Sequence, residues 1–467
     1  MLTMARLATE PARPRVVREH RLAPWFAVGI VCFGAFMGQL DASIVTLAFP
    51  ALQHRFGVGL AQVQWVSLSY LLVLIALLIP VGKWSDLAGR KLLYLYGFAV
   101  FSIASVVCGL APSLTVLIVF RMVQAIGAAL LQANSIALVS TSVPGRLRRA
   151  ALGVQAVAQA AGLAFGPVAG GVLVASVGWR WVFLINPPVG VLAIVGGTLF
   201  LPRTRHRSGE TSSDLLGVAL LGVAVTGVLL VVSAASGLRL GPGEILAVGA
   251  VAIAAAAGLA LRERRIRHPL LDRSVLAVPG AWRSLGGALC AYLVLFGPLV
   301  LYPQVLGDRG GGVTLLTGLT LAALPAGFAA GAVLAERLLP VTWTDGRRCL
   351  LGGTTAVLAG GLLMVTGTGS AIGVAVLLGV LGIGLGCYLP ANNSQIMGRI
   401  PAHKAATAGG MVNMARGIGT AFGVAIVALS LHVAAGHGAS AAGTELTLLA
   451  LTACAALATL LGVLPAR

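Results

Sequence analysis

Fourteen long apolar runs follow one another along this chain of 467 residues, each parted from the next by a short polar loop. A helix that crosses a bilayer needs about 20 mostly apolar residues. Only helices and closed barrels satisfy their backbone groups inside hydrocarbon. The runs therefore predict an all-α polytopic membrane protein. They are Trp25–Val45, Val63–Val81, Leu92–Leu110, Leu114–Val139, Ala151–Val174 and Trp181–Leu201; a pair at Leu215–Ser233 and Ile245–Leu261; then Leu285–Tyr302, Val313–Ala335, Cys349–Val365, Ala371–Leu389, Ala405–Leu431 and Leu446–Leu464. Charged residues make up 10% of the chain and hydrophobic ones 58%. Soluble domains run at about 25% and about 45–50%, so a soluble enzyme, a disordered chain and a nucleic-acid-binding module are excluded.

The formal charge of +19 would suggest an anionic partner if the basic residues formed one patch. They lie instead in short clusters between the runs. With fourteen spans, 26 of the 32 Lys and Arg fall in loops on the side of the N-terminus. Four fall opposite (Arg55, Arg180, Arg239, Arg309), and Arg121 and Arg416 lie within spans. Removing one span would flip every later loop and destroy this bias. Positively charged loops stay inside, so both termini are expected to be cytoplasmic. The N-terminal stretch with Arg6, Arg13, Arg15, Arg18 and Arg21 precedes a run too long for a cleavable signal. The six cysteines form no C-x-x-C pair and fall in or beside apolar runs, which predicts buried thiols rather than disulfides or a metal site. Only three of the 32 basic residues are lysine, which with abundant Ala and Gly hints at a GC-rich bacterial genome.

Two stretches about 257 residues apart read alike. Leu131-Gln132-Ala133-Asn134-Ser135 parallels Leu389-Pro390-Ala391-Asn392-Asn393, and Val143-Pro144 parallels Ile400-Pro401. Gly153, Gly162 and Phe165-Gly166 parallel Gly410, Gly419 and Phe422-Gly423. Two homologous six-helix halves would give this, and parallel repeats are a known plan for secondary transporters. The expected organisation is a tail at 1–24, a half at 25–201, a central region at 202–283 with the inserted helix pair, and a second half at 284–467.

Several motifs carry a family resemblance. Gly82-Lys83-Trp84-Ser85-Asp86-Leu87-Ala88-Gly89-Arg90-Lys91 is similar to the G-x-L-x-D-R-x-G-R-K signature of the major facilitator superfamily; Trp84 and Leu87 depart from it. Leu40-Asp41-Ala42-Ser43-Ile44-Val45 resembles the L-D-x-T-I-V of fourteen-helix drug–proton antiporters. Gly162-Leu163-Ala164-Phe165-Gly166-Pro167-Val168-Ala169-Gly170-Gly171 resembles the antiporter signature G-x-x-x-G-P-x-x-G-G. Trp179 to Gly190, with Asn186-Pro187-Pro188, resembles that branch's W-R-W-I-F-x-I-N-x-P-x-G, and Arg121-Met122-Val123-Gln124-Ala125-Ile126-Gly127-Ala128-Ala129 its R-x-x-Q-G-x-G-A-A, with Ala125 in place of Gly. The resemblance is dense in the first half and loose in the second. It implies two six-helix halves plus two inserted helices, and export of a small amphiphilic compound in exchange for protons. It also implies that the loop with Gly82, Asp86, Gly89, Arg90 and Lys91 latches the halves at the cytoplasmic face. Read on its residues alone, that loop is a tight turn permitted by two glycines, whose charges reach helix ends or each other. Gly162, Gly166 and Gly170 recur every four residues and so share one helix face, where backbones can approach closely. Pro167 removes a hydrogen bond and is expected to bend that helix; its counterpart in the second half is Val424.

Charge within a membrane is costly and marks a functional hypothesis. Of 13 acidic residues, Asp41 alone falls well inside a run; Glu244, Asp308 and Glu336 fall at ends. Asp41 and Arg121 are the candidate proton-coupling residues, the role of Arg121 coming from the resemblance; a structural donor to carbonyls is its alternative. Gln132, Asn134, Gln155, Gln159, Asn392, Asn413 and Arg416 are candidate cavity residues, with interhelical bonding the alternative. No G-x-x-x-x-G-K-[ST] loop occurs, so ATP is not the expected energy source. No cofactor or metal is expected. The expected partners are a small amphiphile, protons and lipid, with no nucleic acid, the chain acting as a monomer in the cell membrane. The competing readings are a proton-coupled importer or exchanger of a metabolite, a membrane-embedded transferase and a channel. A transferase needs clustered acids or histidines near one face, whereas the acids here are scattered; a channel needs charge rings rather than a lone acid.

Overall fold

A computed structural model describes residues 13–14, 19–144, 147–203, 214–266, 277–310, 315–340, 342–366, 370–397, 405–435 and 440–463. Within them fourteen helices are long and apolar enough to cross a membrane. We number them α1 (Ala23–Leu47), α2 (Trp65–Ala88), α3 (Arg90–Gly109), α4 (Leu114–Ser142), α5 (Arg148–Ser176), α6 (Asn186–Phe200), α7 (Leu215–Ala235) and α8 (Pro242–Arg265). The second half is α9 (Ala281–Gly310), α10 (Leu315–Leu338), α11 (Asp345–Thr366), α12 (Ala371–Met397), α13 (Ala405–Ala435) and α14 (Ser440–Val463). Short helical pieces, Phe49–Phe56, Leu60–Val63 and Trp181–Leu184, prolong α1 and precede α2 and α6.

The two shortest predicted spans, Ile245–Leu261 and Cys349–Val365, are full-length helices of 24 and 22 residues. Polar ends hid their length. At α8 the Glu244 carboxylate accepts the Gly241 amide at 2.7 Å, capping the helix start, and the helix then runs on through Arg262, Arg264 and Arg265. A second correction concerns the segment read as a turn at 82–91. It is helical up to Ala88, and only Gly89, at φ 109°, turns the chain from α2 into α3. Hydropathy falls at Lys83, but nothing from Lys83 to Ala88 breaks a helix, and a helix ends at its breaker rather than where it leaves hydrocarbon.

The halves repeat each other. In the first, α1 packs on α5, α2 on α4, and α3 on α4 and α6; in the second, α9 packs on α13, α10 on α12, and α11 on α12 and α14. Across the seam α5 packs on α10 and, equivalently, α13 on α2. Close helix approach at matching glycines accompanies this. A Cβ at Gly162 would strike the Phe36 carbonyl of α1, and one at Gly419 the Leu289 carbonyl of α9. The inserted pair is a hairpin in which α8 packs chiefly on α7, while α7 lies against both α2 and α13. Its base is tied by Asp214, which caps the Gly217 amide at 2.8 Å and pairs with Arg262 at 2.7 Å. Near its tip, Gln64 donates to the Ser233 hydroxyl at 3.1 Å, both side chains buried. All six cysteines are free thiols.

Candidate functional site

Asp41 lies on α1 six residues before its end, and Arg121 on the third turn of α4. Eighty residues apart in sequence, they meet in the first half. Arg121 Nη1 donates to Asp41 Oδ2 at 2.7 Å, with the side chains 1% and 0% exposed. The same guanidinium donates through Nη1 to Gln124 Oε1 at 2.6 Å and through Nε to the Val66 carbonyl at 3.0 Å. Gln124 stands one turn after Arg121, on the same helix face. Its Nε2 donates to Asp41 Oδ1 at 3.1 Å and to Ser105 Oγ of α3 at 2.6 Å. Asn186, which opens α6, donates to Asp41 Oδ1 and to Ser105 Oγ, each at 3.3 Å. Four helices thus supply the side chains, and α2 one carbonyl, of a polar knot with one negative and one positive charge.

Burial makes the pairing obligatory. Leaving either charge without its partner costs about 3–5 kcal/mol. A proton reaching Asp41 turns one oxygen from acceptor to donor, so it must displace the guanidinium or one of the two amides. Removing Gln124 takes away the shortest neutral donor to Asp41 Oδ1 and costs about 1–3 kcal/mol. Gln124→Ala is therefore expected to lower the melting temperature of the purified protein; melting equal to the parent's would show that Asn186 suffices.

Sequence reasoning singled out Asp41 and Arg121 but assigned no role to Gln124, Ser105 or Asn186. Gln124 and Asn186 stand inside quoted motifs, R-x-x-Q and I-N-x-P, which was the available signal. Ser105 carries none. Tyr70 was also missed. Its ring lies under Arg121, the guanidinium carbon 4.1 Å from the ring centroid.

Tyr70 also lines the smaller of two voids between the halves, about 40 Å³ and about 80 Å³ in volume. Gln39, Gln132, Asn413 and Arg416 line both. Gln155 and Gln159 line the larger, where Gln155 Nε2 donates to Ser135 Oγ. Arg416 reaches from α13 to Gln132 Oε1 at 3.3 Å and lies 5.6 Å from the Tyr292 ring centroid. Gln132, Gln155, Gln159, Asn413 and Arg416 thus come together. Asn134 and Asn392 do not. Asn134 donates to the Leu130 carbonyl one turn back, and Asn392 to the Ser284 carbonyl of α9; neither lines either of these two voids. Each spends its amide on backbone, the outcome that spacing cannot separate from cavity lining. A wider vestibule of about 990 Å³ opens on the face of Gly57 and Arg239, where Gln53, Gln304, His432 and Glu445 also line it.

The other motif residues have structural partners. Gly166 and Gly170 face Ser43, Ile44 and Leu47 of α1, whereas Pro167 and Gly171 face Gly318 of α10. One motif therefore packs α5 both within its half and across the seam. The helix runs unbroken through Pro167. Lys91, fully buried, donates to the carbonyls of Thr198 and Leu201 at 2.9 and 2.8 Å. These contacts tie α3 to the end of α6 within one half, not across the seam. Gly82 lies inside α2 with open space around it, Arg90 begins α3, and the Asp86 side chain lies outside the described residues.

The profile described as Major Facilitator Superfamily matches residues 31–424. The tetracenomycin C resistance and export protein of Streptomyces glaucescens is 31% identical over 86% of this chain and 75% of its own. The methylenomycin A resistance protein of Streptomyces coelicolor is 31% identical over 85% and 84%. The riboflavin transporter RibZ of Clostridioides difficile is 28% identical over 87% and 89%. In fold, the chain resembles a bacterial homolog of the human lysosomal transporter Spinster solved in an inward-facing, occupied conformation. That likeness has a TM-score of 0.66 at 17% identity and covers 95% of this chain and 97% of that one. With its fourteen spans, its repeated halves and a profile match over most of its length, the chain belongs to the major facilitator superfamily, as a multi-pass protein of the cell membrane.

Proposed function

We propose that the protein exports a small amphiphilic compound across the cell membrane in exchange for protons, by alternating access between its two halves. The observation that carries this reading is the sealed Asp41–Arg121 pair set directly behind the wall of an inter-half void. Curated relatives named for antibiotic resistance and export support the direction of flux. Drug-sized ligands occupy cavities of about 300–1,000 Å³, so voids of about 40 and 80 Å³ correspond to a closed centre. The halves must part before cargo enters.

The test is uphill efflux from inverted vesicles under an imposed proton gradient, with collapse of the gradient abolishing it. Accumulation in the opposite direction would favour import instead. The described void linings contain no acid, and they include the cation Arg416. Neutral, zwitterionic or weakly anionic amphiphiles should therefore compete for transport, and bisquaternary compounds should inhibit weakly. A clear preference for dications would contradict this charge assignment.

The orientation belongs to the same reading: both termini cytoplasmic, the vestibule facing out. On a background freed of the native cysteines, Gly243→Cys should label in intact cells, because the space around Gly243 is open. A cysteine at Ser208 should label only after permeabilisation; labelling of Ser208→Cys from outside would reverse the topology.

A further inference from the structure

Tyr70 has two faces that the proton-coupling pair alone does not use. Its ring lies under the Arg121 guanidinium, 4.1 Å from guanidinium carbon to centroid, as a cation over a π-face requires. The same side chain lines the void into which Arg416, Asn413 and Gln132 come from α13 and α4. It is 1% exposed, and its hydroxyl makes no hydrogen bond to the described protein atoms. A buried hydroxyl without a partner is costly. Asp41, Arg121, Gln124, Ser105 and Asn186 each have a hydrogen-bond partner within the protein.

We infer that Tyr70 is both a contact for cargo and the link through which cargo acts on the proton site. Its hydroxyl donates to an oxygen acceptor of the exported compound, and its ring holds Arg121 against Asp41. The chemistry around it selects the ligand. Arg416 repels a cation, the amides of Gln132 and Asn413 offer donors, and Phe296, Leu74 and Leu78 supply an apolar wall. The ligand is therefore a flat, uncharged amphiphile bearing a carbonyl or similar oxygen acceptor. When it seats against the Tyr70 side chain, the ring moves beneath the guanidinium, and the Arg121–Asp41 contact changes with it; the hydroxyl adds affinity and the ring carries the coupling. Linkage makes this reciprocal: a ligand that alters proton binding is altered equally by the proton.

The inference rests on the export reading, and its test separates the two. Purified full-length protein is titrated with 2-naphthamide and with naphthylmethylammonium. Affinity is read by calorimetry, and protons exchanged per ligand by an indicator dye. The parent is expected to bind the amide more tightly than the ammonium and to exchange protons on binding. Tyr70→Phe keeps the ring and loses the hydroxyl: amide binding should weaken about tenfold, the worth of one hydrogen bond, with the protons exchanged at saturation unchanged. Tyr70→Leu loses the ring and should exchange fewer than half as many protons per ligand bound. Parent-like amide affinity in Tyr70→Phe, preference of the parent for the ammonium, or no binding of either probe overturns the hydroxyl assignment. Undiminished proton exchange in Tyr70→Leu overturns the ring assignment. Tyr70→Phe preserves the buried ring, so the first assignment is decided even where Tyr70→Leu fails to fold. Absence of gradient-driven efflux by the parent would instead overturn export and leave these binding results standing.

Discussion

Asp41→Asn is expected to abolish gradient-driven efflux while Asp41→Glu retains part of it. The amide matches the carboxylate in shape, and its single oxygen can still accept from Arg121, but its NH2 then faces the Gln124 and Asn186 donors, so the knot keeps one side of its bonding and loses the other. It cannot exchange a proton, and a transporter without a titrating group has nothing to couple. The substitution also leaves the Arg121 charge buried without its counterion, which costs up to about 3–5 kcal/mol. Cation–π contact with Tyr70 and the Val66 carbonyl offset part of this. The variant should therefore melt lower than the parent yet still elute as a single folded species. Arg121→Lys keeps the charge but loses the planar fork that serves Asp41, Gln124 and Val66 together, so its efflux should be impaired and not absent. The measurement is uphill efflux in inverted vesicles at matched expression. Uphill transport by Asp41→Asn at the parent's rate would place the proton site elsewhere.

The second large effect is expected at Gly162. A Cβ there would meet backbone only: the Phe36 carbonyl oxygen, its carbon at 3.0 Å and the Phe36 Cα at 3.1 Å. No rotamer relieves such a clash. Helices α1 and α5 would have to part, and overpacking of this kind costs about 1–3 kcal/mol, occasionally more. Because α1 also carries Asp41, parting it from α5 would disturb the distance to Arg121. At Gly166 the obstruction is different. The nearest atoms are the Ser43 hydroxyl and its Cβ at 2.9 Å, with the Ile44 nitrogen at 3.2 Å. That hydroxyl donates only to the carbonyls of its own helix at Gln39 and Leu40. Gly162→Ala should therefore lower both melting temperature and efflux, and Phe36→Ala should not restore them. Gly166→Ala should be the milder change and be partly rescued by Ser43→Ala, which removes the hydroxyl and leaves the Cβ at 2.9 Å. Equal melting of Gly162→Ala and the parent would mean the two helices have room to spare.

Much of this architecture is legible in the sequence because hydrocarbon imposes length and polarity on each helix separately. Ends are less legible: α2 runs on through Gly82 to Ala88, since hydropathy records where a helix leaves the bilayer and not where it stops. The Asp41–Arg121 pair could be suspected because both charges stand alone in apolar surroundings. Gln124, Ser105, Asn186 and Tyr70 could not be placed around them the same way. A lone amide or hydroxyl in a membrane helix can bond its own backbone, a neighbouring helix or a ligand. Asn134 and Gln132 sit two residues apart and took different options. Only helix packing decides between them. Lys91 shows the same limit: its charge predicts a bond to a helix end, and which half supplies that end is a property of the fold.

The two seams between the halves are made of different material, and this bears on how a greasy compound can reach the centre. At α5 and α10, Gly318 lies against the Pro167 carbonyl and Gly171 Cα, main chain on main chain. At α2 and α13, an added Cβ at Gly417 would touch the side chain of Ile75, which can turn aside. The second seam is the yielding one, and there α7 lies against both helices. A molecule approaching from the side therefore meets rigid backbone at Gly318 in one crevice and an extra helix over the other. With both side routes covered, the wide approach towards the closed centre is the vestibule, which follows the long axis of the molecule from the aqueous phase.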